Sequence, residues 1–421
     1  MAPNRIKLAF QLQSHAQAMC EENAVTLQET VCTPEFATGA PESDLARSVY
    51  CVLGMPIDAV NLATVVRRME SAAVSQAVFL ISTPNLNFLV NSLSDPEFRE
   101  SLLGSDLCPP DGFPIVCIAR LLGLPIKERA AGADLLDRLQ SRKTSARRLR
   151  VFLFGGAPGV AAAAARTLNA TPNGLNCVGT LDPGFCDVSE MSQDSIIQSV
   201  NSSGADFLVA SLGAKKGQLW LQRNHDRLTI PIRSHLGAAI NFQAGVVSRA
   251  PPALRAWGLE WLWRIKEERY LWTRYRDDGL VLLRLLLTRV LPLAVIFRWH
   301  RFKRKYQPDD LLVNQNDSDA TIGIALCGFA LEGHVSKAIP FFQEAISSGR
   351  DVTVDLSHVR QIDARFLGLL LMLRKELRSR GAELTFTSVP GRIRRIFRLS
   401  ELDFLLSESA RPARETLNSN S

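Results

Sequence analysis

Three short apolar runs, each ending in turn residues, constrain this chain more than any other feature. Ala77-Val-Phe-Leu-Ile-Ser82 runs into Thr83-Pro84-Asn85, Val151-Phe-Leu-Phe154 into Gly155-Gly156-Ala-Pro-Gly159, and Asp206-Phe-Leu-Val-Ala-Ser-Leu212 into Gly213. Runs this short and continuous read as strands buried on both faces. An Ala-rich helix follows Gly159 to about Leu168. Asp95-Pro96-Glu97 marks another helix start, with an N-cap and a proline at the first helical position. Strands alternating with helices predict an α/β domain over 49–250, built on a parallel sheet with both faces covered.

After Pro251 the text changes. The 421 residues carry a net charge of +7, and much of it lies between Arg249 and Lys305. Trp257, Trp261, Trp263, Tyr270, Trp272 and Tyr275 interleave there with Arg255, Arg264, Lys266, Arg269 and Arg274. Leu280 to Phe297 is then almost wholly apolar, broken by Arg284, Thr288, Arg289 and Pro292. That length approaches what a bilayer span needs, but two arginines at its centre oppose insertion. The favoured reading is a helix lying in the membrane interface, so that 251–306 forms a basic, aromatic membrane-surface appendage. A spanning helix and an ordinary core helix remain alternatives. A helix bound to nucleic acid has no use for so continuous a Leu face, so no nucleic-acid partner is expected.

Gln307 to Asp319 is polar and reads as a linker. A small second α/β domain follows over 320–410. Its strands are expected at Thr321–Leu331, Val352–Ser357 and Glu383–Val389, with helices at Ala364–Arg380 and from Arg392. Residues 1–48 read as a poorly ordered extension without the apolar core of a secretory signal, and 411–421 as a disordered tail. The eight cysteines form no C-x-x-C pair and have no His at ligand spacing, so free thiols in a reducing compartment are expected, with no metal and no cofactor.

The chemistry-bearing candidates are loop residues at strand ends. Asp111, in Leu107-Cys-Pro-Pro-Asp-Gly-Phe-Pro114, is a carboxylate entering a helix, able to act as a general base or only as a turn residue. Thr83 and Asn85 are polar contacts at the carboxyl end of a strand, where α/β proteins bind ligands, or turn residues. Arg129 can hold a phosphate or simply face water, and Asp134 reads as an N-cap. Gly155 and Gly156 can cradle a diphosphate at a helix start without forming the dinucleotide fingerprint.

Taken in order, these segments resemble the WecG/TagA/CpsF family, glycosyltransferase family twenty-six. The matching text is Thr83-Pro-Asn-Leu-Asn, Asp95-Pro-Glu-Phe-Arg, Pro110-Asp-Gly, Arg120-Leu-Leu-Gly, Glu128-Arg-Ala-Ala-Gly-Ala-Asp-Leu, Phe152-Leu-Phe-Gly-Gly, Gly213-Ala, Ala244-Gly with Arg249-Ala-Pro, and Gly258-Leu-Glu-Trp-Leu-Trp-Arg. The resemblance implies a Rossmann-like domain and metal-free, inverting transfer from a UDP-sugar to a polyprenyl-diphosphate-linked sugar. It implies Asp111 as base, and Thr83, Asn85 and Arg129 as substrate contacts; Gly112, Gly155, Gly156, Lys216 and Gln218, whose amide falls one residue after the family's Gln position, complete the expected substrate-binding set. It also implies Arg264, Arg269 and Arg274 at the lipid diphosphate, on the cytoplasmic face of the inner membrane. Two departures stand out: Gly217 occupies the position of the family's Gln, and Asn241 that of its Asp. They leave open a non-catalytic scaffold.

The second domain resembles the STAS family through Val354-Asp-Leu-Ser-His-Val-Arg-Gln-Ile-Asp363 and Leu367-Gly-Leu-Leu-Leu371. Phosphorylated STAS domains carry Ser or Thr just after that Asp; here Ala364 and Arg365 follow it. The expectation is a constitutive interaction surface, with Arg365 and Phe366 docking on a protein partner or on the transferase domain itself.

Overall fold

The computed structural model describes residues 43–142, 147–304, 310–318 and 321–408. A hairpin of β1 (Val49–Val52) and β2 (Met55–Asp58) turns through Leu53 and Gly54, at φ 49° and 81°. Two successive left-handed residues match the twist of the paired strands. Residues 43–48, expected in the disordered extension, belong to the folded body. Leu45 is fully buried, and Arg47 grips Asp58 through Nε (3.2 Å) and Nη2 (2.7 Å). The rest of that extension and the 411–421 tail lie outside the described residues.

The buried runs become strands of one parallel sheet: β3 (Phe79–Ile81), β4 (Leu149–Gly155), β5 (Leu175–Leu181), β6 (Phe207–Ser211) and β7 (Ile232–His235). They pair in the order β3-β7-β6-β4-β5. Alternate side chains feed two cores, as the two-residue period of a strand requires. Val151 and Leu153 enter one, Phe152 and Phe154 the other. Asp95 caps the helix Pro96–Leu103 by accepting from the Glu97 and Phe98 N–H groups, as its sequence predicts. Asp134 is not a cap: it sits inside the first turn of Gly132–Gln140, whose N-cap is Ala131.

The appendage is helical. Short helices at Pro252–Ala256 and Glu260–Glu267 lead into one long helix with segments Leu271–Leu285, Leu286–Val290 and Leu291–Arg304. The middle segment is π-helical. Pro292 has no N–H to return to the preceding turn, and a widened turn absorbs that loss. Val290, Leu293, Ala294 and Phe297 are buried, while Leu283, Leu287 and Val295 on the opposite side are 53, 59 and 66 % exposed.

The second domain has a four-stranded sheet in the order β11-β10-β9-β8, from β8 (Leu311–Asp317), β9 (Thr321–Ala330), β10 (Asp351–Ile362) and β11 (Leu384–Thr387). β8 corrects the expected 307–319 linker: 311–317 pairs antiparallel with β9 as an edge strand. This domain is no tethered bead. The helix Ala364–Ser379 lies against β1, and Arg374 meets Glu100 bidentately at 2.9 and 3.0 Å. Lys375 reaches Asp44 and Asp106, and Arg289 of the long helix reaches Glu401 at 2.6 Å. One apolar core runs from Val49 and Phe98 through Phe297 to Phe366 and Phe397.

Candidate active site

A cavity of about 880 Å³ opens over the carboxyl ends of β3, β6 and β7, roofed by the appendage. Its floor is built by local sequence. Asn85 caps the helix Leu86–Ser94, its Oδ1 accepting from Phe88 N (3.2 Å). The Asp111 N–H donates to Pro84 O (2.9 Å), tying the Asp-Gly loop to the end of β3. Gly112 sits at φ 81° and starts the helix Phe113–Leu122, a conformation that favours glycine. Asp111 therefore points into the cavity beside Thr83 and Asn85.

The electrostatics suit a base. Burial pushes the Asp111 carboxyl up to about 7; Arg129 opposes the shift, Glu260 and Asp134 reinforce it, and a hydrogen bond from Asn85 opposes it. A carboxylate poised near neutrality is what proton abstraction at neutral pH asks for. Arg129 lines the cavity and is held by Glu260 (2.8 Å) and Asp134 (3.4 Å). Arg264 lines it too, paired with Glu268 at 2.6 Å, and Arg274 stands at its mouth. Two of these acidic partners, Glu260 and Glu268, come from the appendage.

Other expected contacts lie elsewhere. Gln218 is fully buried, its Nε2 donating to Ser82 Oγ (2.7 Å) and Ser101 O (3.2 Å), so it faces the protein interior. Lys216 is exposed, with Nζ on Cys186 O at 3.0 Å, outside the cavity wall. Gly155 and Gly156 take φ values of 90° and 96° at the end of β4, on the same sheet edge but beyond the cavity lining. A Cβ at Gly155 would press on Leu212 and the Ser211 carbonyl, so this glycine is needed for close chain approach. Arg269 is exposed and does not line the cavity.

Sequence reading missed His235, Asn87, Glu260, Glu268 and Asp278, all of which line the cavity. His235 is buried and its Nε2 donates to Leu212 O at 2.7 Å. It also explains Gly217, where a Cβ would run into the imidazole ring. The Gln of the family pattern has no room there while His235 fills the space. The available signal for Asp278 was a pair of acids, Asp277-Asp278, immediately before an apolar run.

A neutral-pH carboxylate facing arginines across a cleft at the sheet edge fits an α/β group-transfer enzyme acting on phosphorylated substrates. Comparison with known proteins narrows that class. The chain belongs to the Glycosyl transferase WecG/TagA/CpsF family, which residues 50–294 match; residues 318–407 match a Mlab-type STAS domain. It is 24 % identical over 217 residues to an N-acetylglucosaminyldiphosphoundecaprenol N-acetyl-beta-D-mannosaminyltransferase of Bacillus spizizenii, covering 51 % of this chain and 81 % of the relative. Among solved structures, the phosphorylated Bacillus cell fate determinant SpoIIAA aligns over 23 % of this chain and 88 % of its own. That match is 18 % identical, with a TM-score of 0.20. A murine Slc26a9 anion transporter aligns over 83 % of this chain and 71 % of its own, 12 % identical, with a TM-score of 0.18.

Proposed function

We propose that this protein is an inverting glycosyltransferase that moves a hexose or N-acetylhexosamine from a UDP-sugar onto a polyprenyl-diphosphate-linked sugar, in the synthesis of a bacterial exopolysaccharide or other surface polysaccharide. One observation carries the reading. A single cavity joins the near-neutral Asp111 to arginines and to an apolar furrow of Ile118, Leu121, Leu282 and Leu286. An acceptor with a sugar hydroxyl, a diphosphate and a lipid needs those three surfaces together. Asp111 takes the proton of the acceptor hydroxyl as it attacks the anomeric carbon, and the UDP diphosphate leaves with the bonding pair. Arg129, Arg264 and Arg274 balance diphosphate charge. Thr83, Asn85 and Gly112 shape the floor, and Gly155, Gly156 and Lys216 lie toward the donor side of the same edge.

The exposed ridge of the long helix lies on the cytoplasmic face of the inner membrane in this reading. The segment 271–302 is long and apolar enough to cross a bilayer. Its buried side, however, is committed to the protein core, which favours an in-plane helix. The test is release of UDP from a panel of UDP-sugars, with and without a polyprenyl-diphosphate N-acetylglucosamine acceptor. Acceptor-dependent release supports the enzyme. No release with any donor leaves the scaffold reading that Gly217 and Asn241 raised.

A further inference from the structure

One buried charge on the roof has no role in the chemistry above. Asp278 is only 6 % exposed, yet it sits on a helix whose next two turns are Leu282 and Leu286. Its Oδ2 accepts from Asn87 Nδ2 at 3.3 Å, and it lines the cavity. Asn87 is oriented in turn by Asn91, whose Nδ2 donates to Asn87 Oδ1 (3.2 Å) and to the Asn87 carbonyl (2.7 Å). The amide N–H2 of Asn87 is thereby aimed at Asp278. Neighbouring Gly279 lines the same cavity. Burial pushes the Asp278 carboxyl above the usual range, with Asn87 and Arg274 opposing the shift. A carboxylate so enclosed, with one long hydrogen bond from the protein, keeps acceptor capacity that a ligand in the cavity can fill.

Asn87 is two residues from Asn85, the partner of Asp111. Both carboxylates are therefore hydrogen-bonded to one short stretch of chain, and both line the cavity. Diphosphate is repelled by a carboxylate and belongs with Arg264 and Arg274. We infer that Asp278 and Asn87 form a specificity station that takes hydroxyl or amide N–H groups of the acceptor sugar while Asp111 engages its attacking hydroxyl. This rests on the transferase reading and names what holds the acceptor ring in register. Asp278 is a positioning residue here; it touches no reacting atom.

The test measures binding and turnover separately, with a short-chain polyprenyl-diphosphate N-acetylglucosamine as probe. Asp278→Ala should raise the probe Kd and the acceptor KM by about 10- to 100-fold, the range for losing a hydrogen bond to a charged group. Donor KM should stay unchanged and kcat within about threefold. Asp278→Asn should recover most of the loss, and Asn87→Ala should reproduce it, which covers the case in which the alanine variant at 278 fails to fold. Probe binding and acceptor KM within about twofold of wild type in these variants would overturn the inference, as would an effect confined to donor KM. Wild-type binding that depends on Asp278 without any sugar transfer would instead sink the transferase reading and leave the station standing. A wild type that does not bind the probe overturns both.

Discussion

In the proposed reaction Asp111 is the base, and its environment predicts a pH profile. A base works deprotonated, and burial raises this carboxyl to about 7. Activity should therefore fall as pH drops through about 7 and level off above it, read as kcat/KM against pH. Asp111→Asn should keep the fold, abolish that acid limb and cost about 10²- to 10⁴-fold in turnover. That Asp111, Thr83, Asn85 and Arg129 would gather at one sheet edge was legible because turn chemistry at strand ends marks that edge. Gln218 was not, because a one-residue offset on a helix turns a side chain by 100°, here toward Ser82 and away from the cavity. His235 and Gly217 were illegible for another reason: their fit is a contact between a strand and a helix, and neither residue signals it alone. Gly217→Ala should cost about 1–3 kcal/mol in denaturant unfolding by crowding the imidazole. Combined with His235→Ala, that cost should shrink markedly, since residues in contact are not additive.

At the scale of elements, the long helix has two apolar faces in different surroundings. Leu283, Leu287 and Val295 are exposed, whereas Leu293 is buried in the core shared with the second domain. Changing the three exposed residues to Ser should leave the melting temperature nearly unchanged. Binding to anionic liposomes should drop at least about tenfold, since each apolar side chain withdrawn from water contributes on the order of 1 kcal/mol or more. High salt should weaken binding of the unmodified protein through its exposed cations. Resistance to both salt and alkaline extraction would favour a spanning helix. Leu293→Ala should instead destabilise the fold by about 2–5 kcal/mol. The helix was legible from its apolar run; its π turn was not, because Pro292 shows that the ladder breaks but not how it recovers. β8 escaped notice because an edge strand with most of its side chains in water, Val313-Asn-Gln-Asn-Asp317, carries a linker's composition.

At the scale of the whole molecule, the STAS domain does not behave as a tethered module. The expected docking of Arg365 and Phe366 is internal: Arg365 is buried with Nη1 on Val49 O (3.3 Å), and Phe366 is fully buried in the common core. Tyr50 of β1 donates to Glu332 of the STAS domain at 2.5 Å, fastening the same surface. The helix start expected to dock is covered by the chain's own hairpin. Deleting 310–421 would uncover Val49, Phe98 and Phe297 together, so the remaining transferase should aggregate or unfold. A more selective test is Gly368→Ala. Within a helix, Ala is favoured over Gly by about 1 kcal/mol, so this change would stabilise a STAS domain that stood free. In this chain a methyl at 368 runs into the Val49 carbonyl, a backbone group that cannot swing aside. The two effects have opposite signs, so the direction of the change in melting temperature of the full chain decides between them. A fall, with faster proteolysis, is expected of a shared core. A rise would mean that the two domains are not held against each other. Arg374→Ala provides an independent check: Glu100 is a quarter exposed and keeps Arg378 at 2.7 Å, so losing its bidentate partner should cost about 1–3 kcal/mol, the range for hydrogen bonds to a charged group.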